Sequence, residues 1–254
     1  KNGNNNLICN NPEFKVFTIF AILALPAIAA TVLGWAIFKR RVKGAYFAIL
    51  TQAMAVVFAT LLVATIQETG GFNGLNQFTQ FFGYNLYDPV NKQMVYSITV
   101  VLLLVCLLIV WQLYRSRFGE LLVATRDAEE RVRFLGHDPA NIKLVAFVVA
   151  AMMASVGGAM FAPIAGIISP SDVDATASIF LIAGVALGGR ALFLGPALGA
   201  LTVGYGRTSL SEAFPNQWTY FLGAMFIVVI LLLPRGVGDL PRLIRSTLDR
   251  RTSA

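Results

Sequence analysis

Apolar residues run in long blocks separated by short polar or basic stretches, the pattern of a chain that crosses a lipid bilayer several times. A helix rises about 1.5 Å per residue and the hydrocarbon core is about 30 Å thick, so about 20 apolar residues make one crossing. Phe14–Phe38, Tyr46–Ile66, Met94–Tyr114 and Leu144–Ile168 reach that length, and Trp218–Leu233 is a slightly shorter fifth run. Tyr46, Tyr96, Trp111, Tyr114, Trp218 and Tyr220 stand at the edges of these runs, as interfacial anchors do. Residues 178–206 are apolar but broken at Gly188-Gly189-Arg190. They predict a short helix with Ser171 as N-cap and Asp172 and Asp174 in its first turn, then a second from about Ala191 to Gly206. Each half is barely long enough to span, so the pair either crosses twice or is re-entrant. The expected fold class is all-α: a polytopic transmembrane helical bundle of about five full spans plus this broken pair, with residues 1–254 forming a single transmembrane domain.

Composition agrees with this reading. Of the 254 residues 57% are hydrophobic and 13% charged, far from soluble usage, and with 22 Gly and 2 Cys neither a collagen nor a disulfide scaffold fits. Cys9 lies in a polar tail and Cys106 in an apolar run, so no bridge is expected. The formal net charge of +7 would suit nucleic acid if it were spread over a soluble face, but it is gathered beside the apolar runs. Lys39, Arg40, Arg41 and Lys43 form one cluster, Arg115 to Lys143 holds six basic residues, and Arg235 to Arg251 holds five. That distribution is the positive-inside signature. It places the three clusters, including a basic tail over 235–254, in the cytoplasm, and the Asn-rich start, 67–93 and 169–177 outside. The run Phe14–Leu25 with Ala27-Ile28-Ala29 has some features of a signal peptide. Its apolar character continues to Phe38 and its positive charge follows it, so it is read as a true span.

Small residues predict close helix contacts. Ala150, Ala154, Gly158 and Ala162 recur every four residues, and Gly184/Gly188 and Gly195/Gly199 each make a GxxxG pair.

The usual engines are missing from the sequence. The central parts of the spans carry no ionisable group for a coupling ion, and G-x-x-x-x-G-K-[ST], H-E-x-x-H and G-x-S-x-G do not occur. His137 is the one histidine and falls in a polar segment. No catalytic residue, metal site or cofactor is expected, which leaves a passive channel, a membrane scaffold or a body driven by a partner.

Residues 115–143 bear on that choice. Leu121, Thr125, Ala128, Val132 and Leu135 form one stripe at i+3/i+4 spacing, with Arg126, Asp127, Glu129, Glu130, Arg131 and Arg133 around it. The pattern predicts a short amphipathic helix outside the membrane, ended by Gly136 in the left-handed conformation and followed by a helix starting at Asp138-Pro139. Six basic against five acidic residues suit a protein groove better than an anionic lipid surface.

The run from Arg115 through Arg126-Asp-Ala-Glu-Glu-Arg-Val-Arg133 to Gly136-His-Asp-Pro139 resembles the cytoplasmic coupling segment of permease subunits in branched-chain amino-acid and urea ABC importers. Gly44–Gln52, Gly70-Gly-Phe-Asn-Gly-Leu75, Gly166-Ile-Ile-Ser-Pro-Ser171 and Val185-Ala-Leu-Gly-Gly-Arg190 with Gly195-Pro196 fit in the same order, from about residue 12 to 240. Arg126–Arg133, and Ser209–Pro215 leading to Trp218, look closest to the urea permease, and branched-chain members more often have Thr-Gly-Gly-Pro where Thr69-Gly-Gly-Phe72 stands here. The family carries an earlier block of membrane helices that is absent here, so the chain reads as a truncated gene product. The resemblance implies an inner-membrane permease for urea or short amides. Two cytoplasmic ATP-binding subunits would dock on Arg126, Asp127, Glu129, Glu130, Arg131, Arg133 and Gly136. A second homologous permease and a periplasmic solute-binding protein would complete the assembly, with membrane lipid but no nucleic acid as further partner. Branched-chain amino-acid import is the nearest alternative within the family, and a passive urea or water channel is the alternative from another class. For a small polar solute at membrane depth, the candidate hydrogen-bond partners are Thr51, Gln52, Asn73 and Ser155.

Overall fold

The computed structural model describes residues 12–42, 44–65, 71–76, 80–81, 84–86, 88–173, 175–189 and 193–213, together with 220, 223–224 and 227. Helices dominate: α1 (Pro12–Lys39), α2 (Ala45–Ala64), α3 (Pro89–Arg115), α4 (Arg117–Asp127), α5 (Glu129–Phe134), α6 (Pro139–Ala165), α7 (Ala175–Gly188) and α8 (Gly195–Ala213). Four of them, α1, α2, α3 and α6, are long and apolar enough to cross a membrane. Their side chains are mostly exposed, as those of helices that face lipid must be, since the bilayer rather than a protein core covers them. The chain is a polytopic helical membrane protein. The expected fifth span, Trp218–Leu233, and the basic tail 235–254 lie outside the described residues apart from the four single positions given above. So does Cys9, while Cys106 is a free thiol.

Two compact units divide the chain, Lys1–Pro170 and Ser171–Ala254. In the first, α6 packs along α1 and also meets α3 and α4. Gly34 permits the α1–α6 approach, because a Cβ there would meet Leu144 Cδ1 at 2.7 Å and Phe147 Cδ1 at 3.2 Å. Phe38 continues the contact, edge-on to Phe147 and stacked with Phe47 of α2. The small-residue stripe of α6 plays a different part from the one expected. Ala150, Ala154 and Gly158 are exposed, and a Cβ on Gly158 would have no neighbour within 4 Å among the described residues. The reason is rotational: the face of α6 that carries Leu144, Phe147 and Ser155 is the one turned to α1.

Short strand pairs close the loops. Leu75–Asn76 pairs antiparallel with Ile167–Ile168, and Gln80–Phe81 with Tyr84–Asn85. The first pairing joins two of the sequence motifs, the glycine-rich turn after α2 and the exit of α6. Gly74 has φ +65, and a Cβ there would strike the backbone of Ile168 and Ser169, so glycine is required for the strands to meet. Gly166 caps α6 in the left-handed conformation with its N–H on Ala162 O at 2.9 Å.

In the second unit the two GxxxG pairs face each other, as the sequence predicts. A Cβ on Gly184 would lie 2.9 Å from Ala200 Cα, and Cβ atoms on Gly188 or Gly199 would collide with Gly195 O or Gly184 O. Arg207 stacks over Phe180, with its guanidinium carbon 4.9 Å from the ring centre. Two boundaries differ from expectation. Ser171 does not cap a helix: Pro170–Asp172 form a separate 3-10 turn, Pro170 having its φ already set for a turn, and α7 begins at Ala175. The second helix starts at Gly195 rather than near Ala191 and continues past Gly206 to Ala213. At 14 and 19 residues, α7 and α8 are about 21 and 28 Å long.

Candidate functional site

The segment between α3 and α6 is built from three local rules. Ser116 caps α4: its hydroxyl accepts from Gly119 N–H at 3.4 Å and donates to Leu113 O at 2.7 Å. Gly119 fits beneath this turn because a Cβ would come within 2.5 Å of Tyr114 O and 2.6 Å of Leu113 O. At the far end Gly136, φ +85, turns the chain, with Gly136 N–H on Arg133 O and His137 N–H on Val132 O. Asp138 then caps α6 by accepting from Ala140 N–H at 3.0 Å, with Pro139 in the first turn. The expected left-handed Gly136 and the Asp138-Pro139 helix start are both present.

The expected single helix is instead two. Ala128 takes φ −151 and ψ 71, closing α4 and opening α5. The interruption changes the helical phase, so the apolar stripe holds only as far as Val132. Thr125 and Val132 are buried, with the Thr125 hydroxyl on Leu121 O at 2.7 Å, whereas Leu135 is 77% exposed. Phe134 beside it is 88% exposed.

The break also sorts the charged residues that the sequence groups together. Glu129 and Arg133 turn toward the membrane helices: Glu129 accepts from Arg133 at 3.2 Å and from Lys143 of α6 at 2.9 Å, with only 21% of its side chain exposed. Lys39 at the end of α1 reaches Asp138 at 3.7 Å. Arg126, Asp127, Glu130 and Arg131 face outward, and Gly136 is exposed. Arg126 Nε donates to Asp127 Oδ1 at 2.8 Å, which together with the attraction between the two charges raises the guanidinium pKa. The same hydrogen bond holds the Asp127 carboxyl below the ordinary aspartate range. The arrangement therefore has an outer face of charges available to a partner and an inner clamp on the ends of α1 and α6. Sequence reasoning counts Asp138 and Lys143 within the segment 115–143 without naming them as site residues, and does not group Lys39 with it. The signal is their charge at the two helix borders flanking it.

The solute candidates are scattered. Thr51 donates within its own helix, 3.0 Å from both Phe47 O and Ala48 O, and Gln52 beside it on α2 is exposed. Asn73 is exposed in the turn Gly71–Asn73, next to the strand pair that joins the two loop motifs. Ser155 donates to Ile22 O on α1 at 2.6 Å. Their distribution gathers no single pocket. Among the described residues no group of three His, Cys, Asp or Glu is placed to hold a metal ion.

Comparison with known proteins gives a consistent pattern. Residues 6–231 match the family described as branched-chain amino acid transport system, permease component. The high-affinity branched-chain amino acid transport system permease protein LivM of Escherichia coli K12 is 29% identical over 250 residues, covering 89% of this chain and 58% of that protein. The fructose import permease protein FrcC of Rhizobium meliloti is 27% identical over 166 residues, covering 62% of this chain and 45% of that protein. The autoinducer 2 import system permease protein LsrC of Photorhabdus luminescens is 27% identical over 139 residues, covering 52% and 42%. The chain thus spans little more than half the length of these relatives at most. No solved structure matches it. These relatives are transport permeases, not enzymes. With nearly the whole sequence matched, the chain belongs to the family of branched-chain amino acid transport system permease components.

Proposed function

We propose that this chain is the membrane-spanning permease of an ABC importer for branched-chain amino acids in a bacterial inner membrane. Two cytoplasmic ATP-binding subunits drive it, a second homologous permease completes the pore, and a periplasmic binding protein delivers the solute. The observation that carries the reading is the segment 116–138: a short, outward-charged pair of helices fastened to α6 by Glu129 with Lys143, and to the end of α1 by Asp138 with Lys39. A body without an internal energy source needs such a handle. ATPases docking on Arg126, Asp127, Glu130 and Arg131 would move α4, and the clamp would pass that movement to α1 and α6. Glu129, Arg133 and Gly136 then act by holding the handle in shape. The Asn-rich first residues lie outside the cell and the basic clusters inside, in keeping with the charge bias.

Relatives named for branched-chain amino acids favour that substrate over the urea or short amide expected from Arg126–Arg133 and Ser209–Pro215. Gln52 and Asn73, exposed on α2 and at its following turn, are the polar groups proposed for the pathway. Thr51 and Ser155, whose protons are engaged, offer only an acceptor lone pair. Uptake of labelled leucine and labelled urea, in cells carrying the complete transporter with and without this gene, tests the assignment. Loss of leucine uptake with urea uptake unchanged is expected. Loss of urea uptake alone restores the urea reading, and uptake that persists after ATP depletion replaces both with a passive channel.

A further inference from the structure

The inner side of the clamp encloses a cleft of about 180 Å³ between the end of α1, α5 and the start of α6. Lys39, Arg41, Arg133 and Lys143 line it, against Glu129 and Asp138, with Phe38 and Val42 as apolar wall. Four cations line it with two carboxylates, and Glu130 pairs with Arg133 at 3.6 Å as a third, which leaves a surplus of one positive charge. The carboxylates are already engaged: Asp138 with Lys39, and Glu129 with Arg133 and Lys143. Arg41, by contrast, makes no ion pair among the described residues. Its backbone is unusual as well. With φ 55 it is the one non-glycine residue in the left-handed region among the described residues, held there by Arg41 N–H on Phe38 O at 3.1 Å and Val42 N–H on Ile37 O at 3.2 Å. These two bonds form the C-terminal cap of α1, in which a residue in the left-handed conformation follows the last helical turn, so the helix end fixes the backbone at Arg41.

We infer that this cleft binds the phosphate oxyanion of an anionic phospholipid headgroup, with Arg41 as its principal ligand. The cleft lies where two membrane-spanning helices end, at headgroup level, and basic pockets between such helices take acidic lipid heads. A phosphate there meets the spare charge of Arg41 together with Lys39 and Lys143, while acyl chains run along the exposed apolar flank of α1. Free phosphate offers the same oxygens without the chains, so the two sources separate experimentally.

The test uses the full chain purified in detergent, with bound lipid counted by native mass spectrometry after exchange against phosphatidylglycerol or phosphatidylcholine. Retention of phosphatidylglycerol is expected to exceed that of phosphatidylcholine by about fivefold, and to fall by about fivefold in Arg41→Gln, the loss from one basic contact at the membrane surface. Arg41→Gly, which suits the left-handed backbone, should lose the lipid equally, so misfolding does not explain the result. Lys92→Gln, far from the cleft in sequence and on α3, should retain it. Equal retention of both lipids, or wild-type retention in both Arg41 variants, overturns the site. Displacement of phosphatidylglycerol by millimolar inorganic phosphate overturns the lipid assignment in favour of a soluble anion.

Discussion

Ser155 supplies to α1 the hydrogen bond that Pro26 withholds. Pro26 lies inside that helix and has no N–H, so the carbonyl four residues earlier, Ile22 O, loses its helical partner. The Ser155 hydroxyl donates to it at 2.6 Å from across the helix interface. In hydrocarbon no water is present to do this, and a neighbouring helix must. Ser155→Ala should cost about 0.6–1.7 kcal/mol of unfolding free energy in bicelles or micelles. In a Pro26→Ala background the alanine introduces a backbone N–H that restores the helical bond, so the same serine substitution should cost almost nothing. Equal costs in the two backgrounds would show that the hydroxyl acts otherwise.

Outer and inner charges of the segment 116–138 should fail differently. Arg126→Glu or Glu130→Arg should weaken co-purification of the partner ATPases without affecting membrane insertion. Glu129→Gln removes the carboxylate that holds Arg133 and Lys143, and should leave the ATPases bound while lowering solute moved per ATP hydrolysed several-fold. The charge-swapped pair Glu129→Lys with Lys143→Glu should recover part of that ratio. Loss of ATPase binding in Glu129→Gln would place this residue on the docking face instead.

The α7–α8 contact depends on the absence of side chains. Gly199→Ala would drive a methyl into Gly184 O, and Gly188→Ala one into Gly195 O, each at a cost of about 1–3 kcal/mol for overpacking. Gly204→Ala, which meets no described residue on the same helix, should be neutral. Thermal inactivation of the purified chain distinguishes them, and equal midpoints for all three would remove the tight crossing.

Gly136 has room for a side chain but a backbone that resists one. Gly136→Ala should destabilise the segment by about 1 kcal/mol and Gly136→Asn by less, because asparagine tolerates the left-handed region. Proteolysis between residues 128 and 138 should be fastest in the alanine variant and slower in the asparagine one, and identical rates for the two would argue against conformational control.

Asp127 gives a pH signature. Its hydrogen bond to Arg126 lowers its pKa in the folded chain, so the favourable contribution is complete above the ordinary aspartate pKa and disappears only as pH falls through the lowered value. Both groups are fully exposed and screened, so the effect is local. Carboxyl NMR should find the Asp127 midpoint below that of a reference peptide, and Arg126→Gln should return it. A midpoint unchanged by the substitution would remove the pair.

Legibility follows the physics of each signal. Phe14–Phe38 and the other long runs are readable because bilayer thickness demands a fixed apolar length, and turn chemistry makes Gly136 and Asp138-Pro139 readable in the same way. The facing GxxxG pairs are readable because few other contacts tolerate four glycines. Ala150, Ala154 and Gly158 mislead because a small-residue spacing marks a face without saying which neighbour it meets. The division at Ala128 leaves no trace in composition, alanine being a strong helix former, so tertiary context overrides propensity. The bond from Ser155 to α1 is not readable because the gap left by Pro26 lies 129 positions away along the chain.

The interruption at Ala128 bears on how a load from the proposed ATPases would travel. A continuous rod would carry a push on its outer end straight into the bilayer as translation. With a joint of one residue between α4 and an α5 pinned to α6 by Glu129 and Lys143, the push proposed above would reach the start of α6 as torque about a pivot instead of as sliding.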